Sequence, residues 1–271
     1  MLGKLIKYDI RSTWRDFAGV YLSIFLGVII VPQLFNHFTN DVVNMLGGFM
    51  GTAIVISTIV IMIIMLFRIF NTNVFSKEGY LTMTLPVTST QIVVSKLLVS
   101  TMWIVLTGIV SAIGLIIFIL NLNATPPRVL LEAVGDFLNL IQGNHVQMII
   151  LFLLMLVFSA VKEIAKLFLA CSVAHLKQLG RLRVFLGILT YFILSWIETL
   201  IVQIMSFIAR LLPNFPELEH QLMLLDDLTD INQFPGVFNV VIIISILYAA
   251  VLTVLYSAGV IGILNRKLDL D

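Results

Sequence analysis

The stretch MLGGFMGTAIVISTIVIMIIMLF, residues 45–67, contains no charged residue. A hydrocarbon core of roughly 30 Å is crossed by about 20 helical residues, so this stretch is long enough to span it. Backbone groups that face lipid have no water to bond, which excludes an open strand and leaves a helix. The stretch therefore predicts a transmembrane helix.

The whole composition agrees with this prediction. The chain has 271 residues, of which 60% are hydrophobic and 11% are charged, too few polar side chains to solvate a soluble globule of this size. Its single cysteine, Cys171, excludes a disulfide framework. We predict one all-helical transmembrane domain over residues 1–271. Its six predicted spans are residues 17–35, 45–67, 97–120, 146–169, 184–207 and 237–264.

The distribution of lysine and arginine predicts the orientation, because cytoplasmic connections carry an excess of basic residues. An even number of spans puts both termini on one side, and the basic residues collect there. They are Lys4, Lys7, Arg11, Arg15, Arg68, Lys77, Lys96, Lys177, Arg181, Arg183, Arg266 and Lys267. The three opposite connections contain only Arg128 and Arg210. We predict a multi-pass protein of the plasma membrane with both termini cytoplasmic.

The arm at residues 1–16 has the pattern of an amphipathic helix. Its four basic residues fall within a narrow sector at 100° per residue, opposite its apolar residues. The apolar residues are Leu2, Leu5, Ile6, Ile10, Trp14 and Phe17. The pattern predicts an interfacial helix with its basic side toward anionic lipid. An ordinary basic flank without fixed structure is the alternative.

A polar segment at residues 76–98, SKEGYLTMTLPVTSTQIVVSKLL, separates the second and third spans. Thr88 and Gln91 form a capping box, and Val87 and Ile92 a hydrophobic staple, so the third helix should begin near Thr88. Pro86 separates this start from residues 76–85. That preceding piece is too short to cross a membrane, but it carries large apolar side chains at Tyr80, Leu81, Met83 and Leu85. This combination favours a short cytoplasmic helix or turn that contacts another protein. A well-capped loop is the alternative.

Two segments resemble the permease subunits of bacterial type-2 ABC exporters: KEGYLTMTLPVTSTQIVVSKLL at residues 77–98 and LACSVAHLKQLGRLRVFLGILTYFIL at residues 169–194. In that family the loop between the second and third spans docks on the ATPase subunit. The resemblance implies that residues 76–85 have this role. The implied contact residues are Lys77, Glu78, Tyr80, Leu81, Met83 and Leu85, with a second cytoplasmic contact at Lys177, Gln178 and Arg181.

The same resemblance implies an ATP-driven exporter with two permease chains, as a homodimer or heterodimer, and a separate soluble ABC ATPase. ATP and magnesium would be held by that ATPase, because this chain contains no G-x-x-x-x-G-K-[ST] phosphate loop. Its four histidines are scattered, and it has no H-E-x-x-H or G-x-S-x-G motif. We therefore predict no enzyme activity, cofactor, metal or nucleic acid for the chain itself, and lipid as its surroundings.

The alternative class is a nucleotide-independent membrane protein, either a secondary transporter or a signalling or assembly subunit. Such transporters often contain internal repeats, and we find none in this sequence. The apolar spans suggest an amphipathic or lipid-soluble cargo for an exporter.

Charged residues inside the spans are candidates for a transport path, because they are costly in a membrane. They are Lys162, Glu163 and Lys166 in the fourth span and Glu198 in the fifth. At ~1.5 Å per residue, Lys162 lies ~24 Å from the outer end of its span, which favours snorkelling to the cytoplasmic interface. Glu198 lies ~21 Å from the cytoplasmic end, more than ~10 Å from Lys162 along the membrane normal. We therefore expect no direct ion pair, and a Glu198 that faces protein, a cavity or a partner subunit, or is protonated.

Overall fold

The computed structural model describes residues 2–35, 41–75, 87–122, 146–175, 183–210 and 235–266, and the single residues 128, 132 and 135. Across these ranges the chain forms six long helices. They are α1 (Leu2–Phe35), α2 (Asp41–Phe75), α3 (Ser89–Leu122), α4 (Val146–Ala174), α5 (Arg183–Arg210) and α6 (Pro235–Arg266). Each contains a segment long and apolar enough to cross a membrane. The described part of the chain is therefore all-helical, and its six membrane-length helices are those of a multi-pass membrane protein.

All six helices are longer than the apolar stretches that predicted them. α3 begins at Ser89, eight residues before the predicted third span, and α4 ends at Ala174, five residues after the predicted fourth span. A hydropathy pattern ends where polar side chains begin, whereas the backbone hydrogen bonds of a helix continue through polar residues. Apolar runs therefore locate the spans but underestimate the helices.

The amino-terminal arm and the first span form one helix. Because α1 is continuous from Leu2 to Phe35, the predicted boundary between residues 16 and 17 is not a helix end. A helix of 34 residues is ~51 Å long, which exceeds a hydrocarbon core of roughly 30 Å. The position of the arm on lipid headgroups stays a prediction.

The predicted start of the third helix is confirmed. The backbone N–H of Gln91 donates to Thr88 Oγ1 at 3.3 Å, and the backbone N–H of Ile92 donates to the Thr88 carbonyl at 3.2 Å. Thr88 is therefore the N-cap, and α3 has a defined first residue, Ser89.

The chain divides into two compact units, and the first contains α1, α2 and α3. Contacts advance along α1 and α3 in the same direction, from Asp9 with Lys96 to Tyr21 with Thr107, so these helices are parallel. α2 runs antiparallel to α1, because Asp16 contacts Arg68 whereas Gly27, further along α1, lies next to Ile54. The core is built from buried side chains on all three helices. They are Phe17, Val20, Ile24, Val28, Ile69, Val99, Trp103 and Phe118.

The second unit contains α4, α5 and α6. α4 packs against both other helices, antiparallel to α5 and parallel to α6. Glycines allow close approach on each side of α4. A Cβ at Gly187 of α5 would lie 3.3 Å from the Cβ of Ala174, and one at Gly259 of α6 would lie 3.0 Å from Leu169 Cδ1. α4 is thus the central helix of this unit.

Several predicted contact residues lie outside the described residues. They are Lys77, Glu78, Tyr80, Leu81, Met83 and Leu85 of the predicted coupling segment, and Lys177, Gln178 and Arg181 of the second cytoplasmic contact. Their assignment stays a prediction, as does the assignment of residues 1–271 to one domain.

Candidate functional site

The four charged residues predicted within the fourth and fifth spans lie together in the second unit. We call Lys162, Glu163, Lys166 and Glu198 the charge cluster. Lys162 Nζ lies 2.8 Å from Glu198 Oε2 and 3.1 Å from Glu163 Oε1. Lys166 Nζ lies 2.8 Å from Glu163 Oε2 and 3.3 Å from Glu198 Oε1. Each lysine therefore contacts both carboxylates, and the cluster joins α4 to α5.

Helix periodicity explains why three members come from one helix. Lys166 lies four residues after Lys162 and three residues after Glu163, so it shares one side of α4 with each of them. Glu198 of α5 completes the set from the opposing helix. The two positive and two negative side chains balance, which removes the net charge that apolar surroundings would penalise most strongly.

Three tyrosines surround the charge cluster. Tyr256 of α6 donates its hydroxyl proton to Glu198 Oε1 at 2.7 Å, and Tyr191 of α5 donates to Glu163 Oε2 at 2.9 Å. The hydroxyl of Tyr248 donates to the backbone carbonyl of Glu198 at 3.4 Å. Lys166 Nζ also lies 4.8 Å from the centre of the Tyr191 ring, within cation–π range. These contacts extend the cluster to α6.

The four charged side chains differ in exposure, which separates a closed part of the cluster from an open part. The side chains of Lys166 and Glu198 are 3% and 10% exposed, and that of Lys162 is 15% exposed. Glu163 is 43% exposed. The Glu198 carboxylate accepts hydrogen bonds from Lys162 and Tyr256 and also pairs with Lys166, so both of its oxygens have partners within the unit. Glu163 is therefore the most exposed member of the charge cluster.

Two sequence expectations for this site are wrong. Lys162 and Glu198 form a direct ion pair at 2.8 Å, although the depth count predicted that they would lie far apart. That estimate counted from residue 146 across a core of roughly 30 Å, which placed Lys162 near the cytoplasmic face, but α4 continues to Ala174. Measured from Ala174 and Arg183, the two residues lie ~18 Å and ~22 Å along their helices, a difference that the lysine stem covers. The lysines therefore turn toward carboxylates, where the sequence favoured snorkelling.

The expectation that Glu198 faces protein is confirmed, since only 7% of the residue is exposed. Its neighbours belong to α4 and α6 of the same unit. The transport role proposed for the charge cluster stays a prediction.

A second set of buried polar contacts, which the sequence did not predict, joins α1 to α3. We call Asp9, Thr13, Ser95, Lys96 and Trp103 the α1–α3 polar row. Lys96 Nζ lies 2.5 Å from Asp9 Oδ1, and the Ser95 hydroxyl donates to Asp9 Oδ2 at 2.8 Å. One turn further along α1, the Trp103 indole N–H donates to Thr13 Oγ1 at 2.9 Å. Both side chains of the ion pair are 3% exposed.

Aromatic packing continues this contact toward the next turns of the two helices. The ring of Phe17 stacks on that of Trp103, with centroids 4.4 Å apart and ring planes 1° from parallel. Tyr21 Oη lies 3.1 Å from Thr107 Oγ1, which itself donates to the Trp103 carbonyl at 2.7 Å. The contact residues on α1 therefore recur every four positions, which keeps them on one side of the helix.

One signal in the sequence could have revealed the α1–α3 polar row. Asp9 is an acid in an arm rich in basic residues, and at 100° per residue it falls on the side opposite them. An acid on a face that packs against other elements requires a buried partner. The partner itself is 87 positions away in sequence, so a local pattern could not identify it.

No group of three or more metal-ligating side chains occurs among the described residues. No family model matches the chain, and no known protein or solved structure with which it was compared matches it.

Proposed function

We propose that this chain is the permease subunit of a type-2 ABC exporter, and that a separate soluble ATPase binds and hydrolyses ATP for it. The proposal rests on three observations. Residues 77–98 and 169–194 resemble the sequences of such permease subunits, the chain has six membrane-length helices, and its sequence contains no phosphate loop.

The observation that carries the proposal is the defined start of α3. Thr88 caps this helix directly after the connection at residues 76–86, which ends in proline. A capped helix begins at a fixed residue, so a force applied to that connection acts on a stiff element instead of being absorbed by fraying. This is the mechanical requirement for a connection that transmits motion from an ATPase.

In the proposed mechanism, two permease chains enclose a path, and ATP-driven closure of two ATPase subunits pushes on the connections before α3. The spans then reorient. Within each chain the charge cluster holds α4, α5 and α6 together, because its contacts join all three helices. An amphipathic or lipid-soluble cargo suits the apolar spans.

A second candidate function is a nucleotide-independent transporter driven by an ion gradient. One specific observation favours it: the charge cluster places ionisable side chains within membrane-length helices, a common feature of ion and proton pathways. Transport that persists without any ATPase but collapses with the proton or sodium gradient would select this function over an ABC permease.

The test of the ABC proposal is co-purification from the native membrane. We expect the chain alone to neither bind nor hydrolyse ATP, and the native complex to contain a soluble ATPase. Tyr80→Asp with Leu81→Asp should release that ATPase while the permease stays folded. Tyr8→Asp is the matched control, because Tyr8 is 73% exposed on the predicted cytoplasmic arm and lies outside the proposed contact. Undiminished co-purification after the paired change would reject the docking role of residues 76–85.

A further inference from the structure

The strongest unexplained feature of the first unit is the buried ion pair between Asp9 and Lys96. A buried pair is not in itself stabilising, because well-packed apolar side chains of similar volume often do as well or better. Such a pair can fix the register of two helices, because displacement of either helix would separate the buried Asp9 carboxylate from Lys96 and Ser95. The ion pair between Asp9 and Lys96 would therefore resist a relative movement of α1 and α3.

Geometry identifies that movement as sliding or separation of α1 and α3. The two helices run parallel and make polar contacts at Asp9, Thr13 and Tyr21 of α1. These residues extend over ~18 Å of helix. A shift of α3 along its axis would break the ion pair, the Trp103 hydrogen bond and the stacking of Phe17 on Trp103 together. The α1–α3 polar row therefore makes the two helices resist such movement as one body.

The position of Lys96 connects this body to the start of α3. It lies seven residues after Ser89, ~10 Å along the helix. Lys96 precedes the predicted third span at residues 97–120. A displacement of the capped end of α3 is therefore passed to Asp9, through Lys96, before it is passed to that span.

We propose that Asp9 is a positioning residue that passes displacement of the α3 start to α1, so that the two helices move together. The coupling part of this inference rests on the proposed function, which supplies the displacement. The mechanical link between α1 and α3 is independent of the proposed function.

The link is tested by distance measurements between spin labels on the full chain in lipid nanodiscs. Cysteines replace the exposed residues Arg11 of α1 and Val94 of α3, after Cys171→Ser removes the native thiol. We expect Asp9→Asn to widen the distance distribution. Asp16→Asn is the matched control, because Asp16 is on the same helix but pairs at 3.4 Å with Arg68 of α2 in an exposed position.

Exchange of the paired charges gives a rescue that a purely local packing role would not show. We expect the double variant Asp9→Lys with Lys96→Asp to regain the narrow distribution of the wild type. If Asp9→Asn yields no helical protein, the double variant is the test of the link. A narrow distance distribution in the double variant supports the link, and a wide one rejects it. An unchanged width in a folded Asp9→Asn also rejects it.

The coupling is tested with the native ATPase bound. We expect Asp9→Asn to leave co-purification intact and to lower permease-dependent stimulation of ATP hydrolysis about five-fold, a coupling loss of ordinary size for two linked sites. Unchanged stimulation in Asp9→Asn would overturn the coupling. A wild-type chain without any ATPase partner would overturn both the coupling and the proposed function, whereas the spin-label distances report on the link in either case.

Discussion

Replacement of Glu198 by glutamine tests whether the charge cluster holds the second unit together. The change keeps the size of the side chain and removes its charge, so Lys162 and Lys166 retain Glu163 as their remaining acid in the cluster. Because Glu163 is 43% exposed and Glu198 is 10% exposed, the substitution removes the better-buried of the two negative charges. An excess positive charge then remains among apolar helices.

The expected magnitude follows from burial. Removal of one partner from a buried ion pair costs about 3 to 5 kcal/mol, whereas a neutral interhelical hydrogen bond in a membrane averages about 0.6 kcal/mol. Glu198 pairs with two lysines whose side chains are only 15% and 3% exposed, so the cost given for a buried ion pair applies. We expect Glu198→Gln to lower the free energy of unfolding by about 3 kcal/mol. Glu198→Leu should cost more, because it also removes the acceptor for Tyr256.

The assay is reversible unfolding in bicelles, followed by circular dichroism. Gln203→Leu is the matched control, because it removes a polar side chain from an exposed position on the same helix. A double-mutant cycle with Lys162→Met isolates the pair: the double variant restores charge balance and should recover at least about 1 kcal/mol relative to additivity.

Two results would contradict this reasoning. The first is a free energy of unfolding for Glu198→Gln within about 0.5 kcal/mol of the wild-type value, which is the size of effect expected for a surface substitution. Additive effects in the double-mutant cycle would show that Lys162 and Glu198 do not interact energetically, despite the 2.8 Å distance between their atoms.

Two further predictions concern packing and orientation. Gly51→Ala should destabilise the first unit by about 1 to 3 kcal/mol by overpacking, because its Cβ would lie 2.5 Å from Phe118 Cε1, whereas Gly48→Ala, with nothing within 4 Å of its Cβ, should be nearly neutral in the same unfolding assay. Equal effects of the two changes would reject this close contact. In a Cys171→Ser background, a cysteine at Asn123 or Asp227 should react with an impermeant thiol reagent in intact cells, and one at Lys77 or Gln178 should not. Labelling of a cysteine at Lys77 in sealed cells would show that the predicted orientation is reversed, and would exclude the proposed coupling role of residues 76–85.

The sequence predicted the six spans because the cost of burying polar groups in lipid is a local property of each stretch. It also predicted the first residue of α3, because a cap joins Thr88 to its immediate neighbour Gln91. In both cases the residues that determine the feature lie within one or a few helical turns. The predicted positions of helix ends were less accurate where the sequence showed no cap, as at the end of α4, which lies at Ala174.

The side-chain contacts were not predictable to the same degree, because they depend on how separate helices align. The estimate from a core of roughly 30 Å put Lys162 ~6 Å from the cytoplasmic face, whereas Lys162 lies ~18 Å from the end of α4 at Ala174. This difference is enough to convert an ion pair into an apparent separation. Asp9 illustrates the other limit, since its partner Lys96 follows a whole intervening helix. Both cases nevertheless left a local sign: a charged residue on a helix face where only apolar or paired side chains are stable. Such a residue predicts that a partner exists, and the alignment of the helices then decides which one it is.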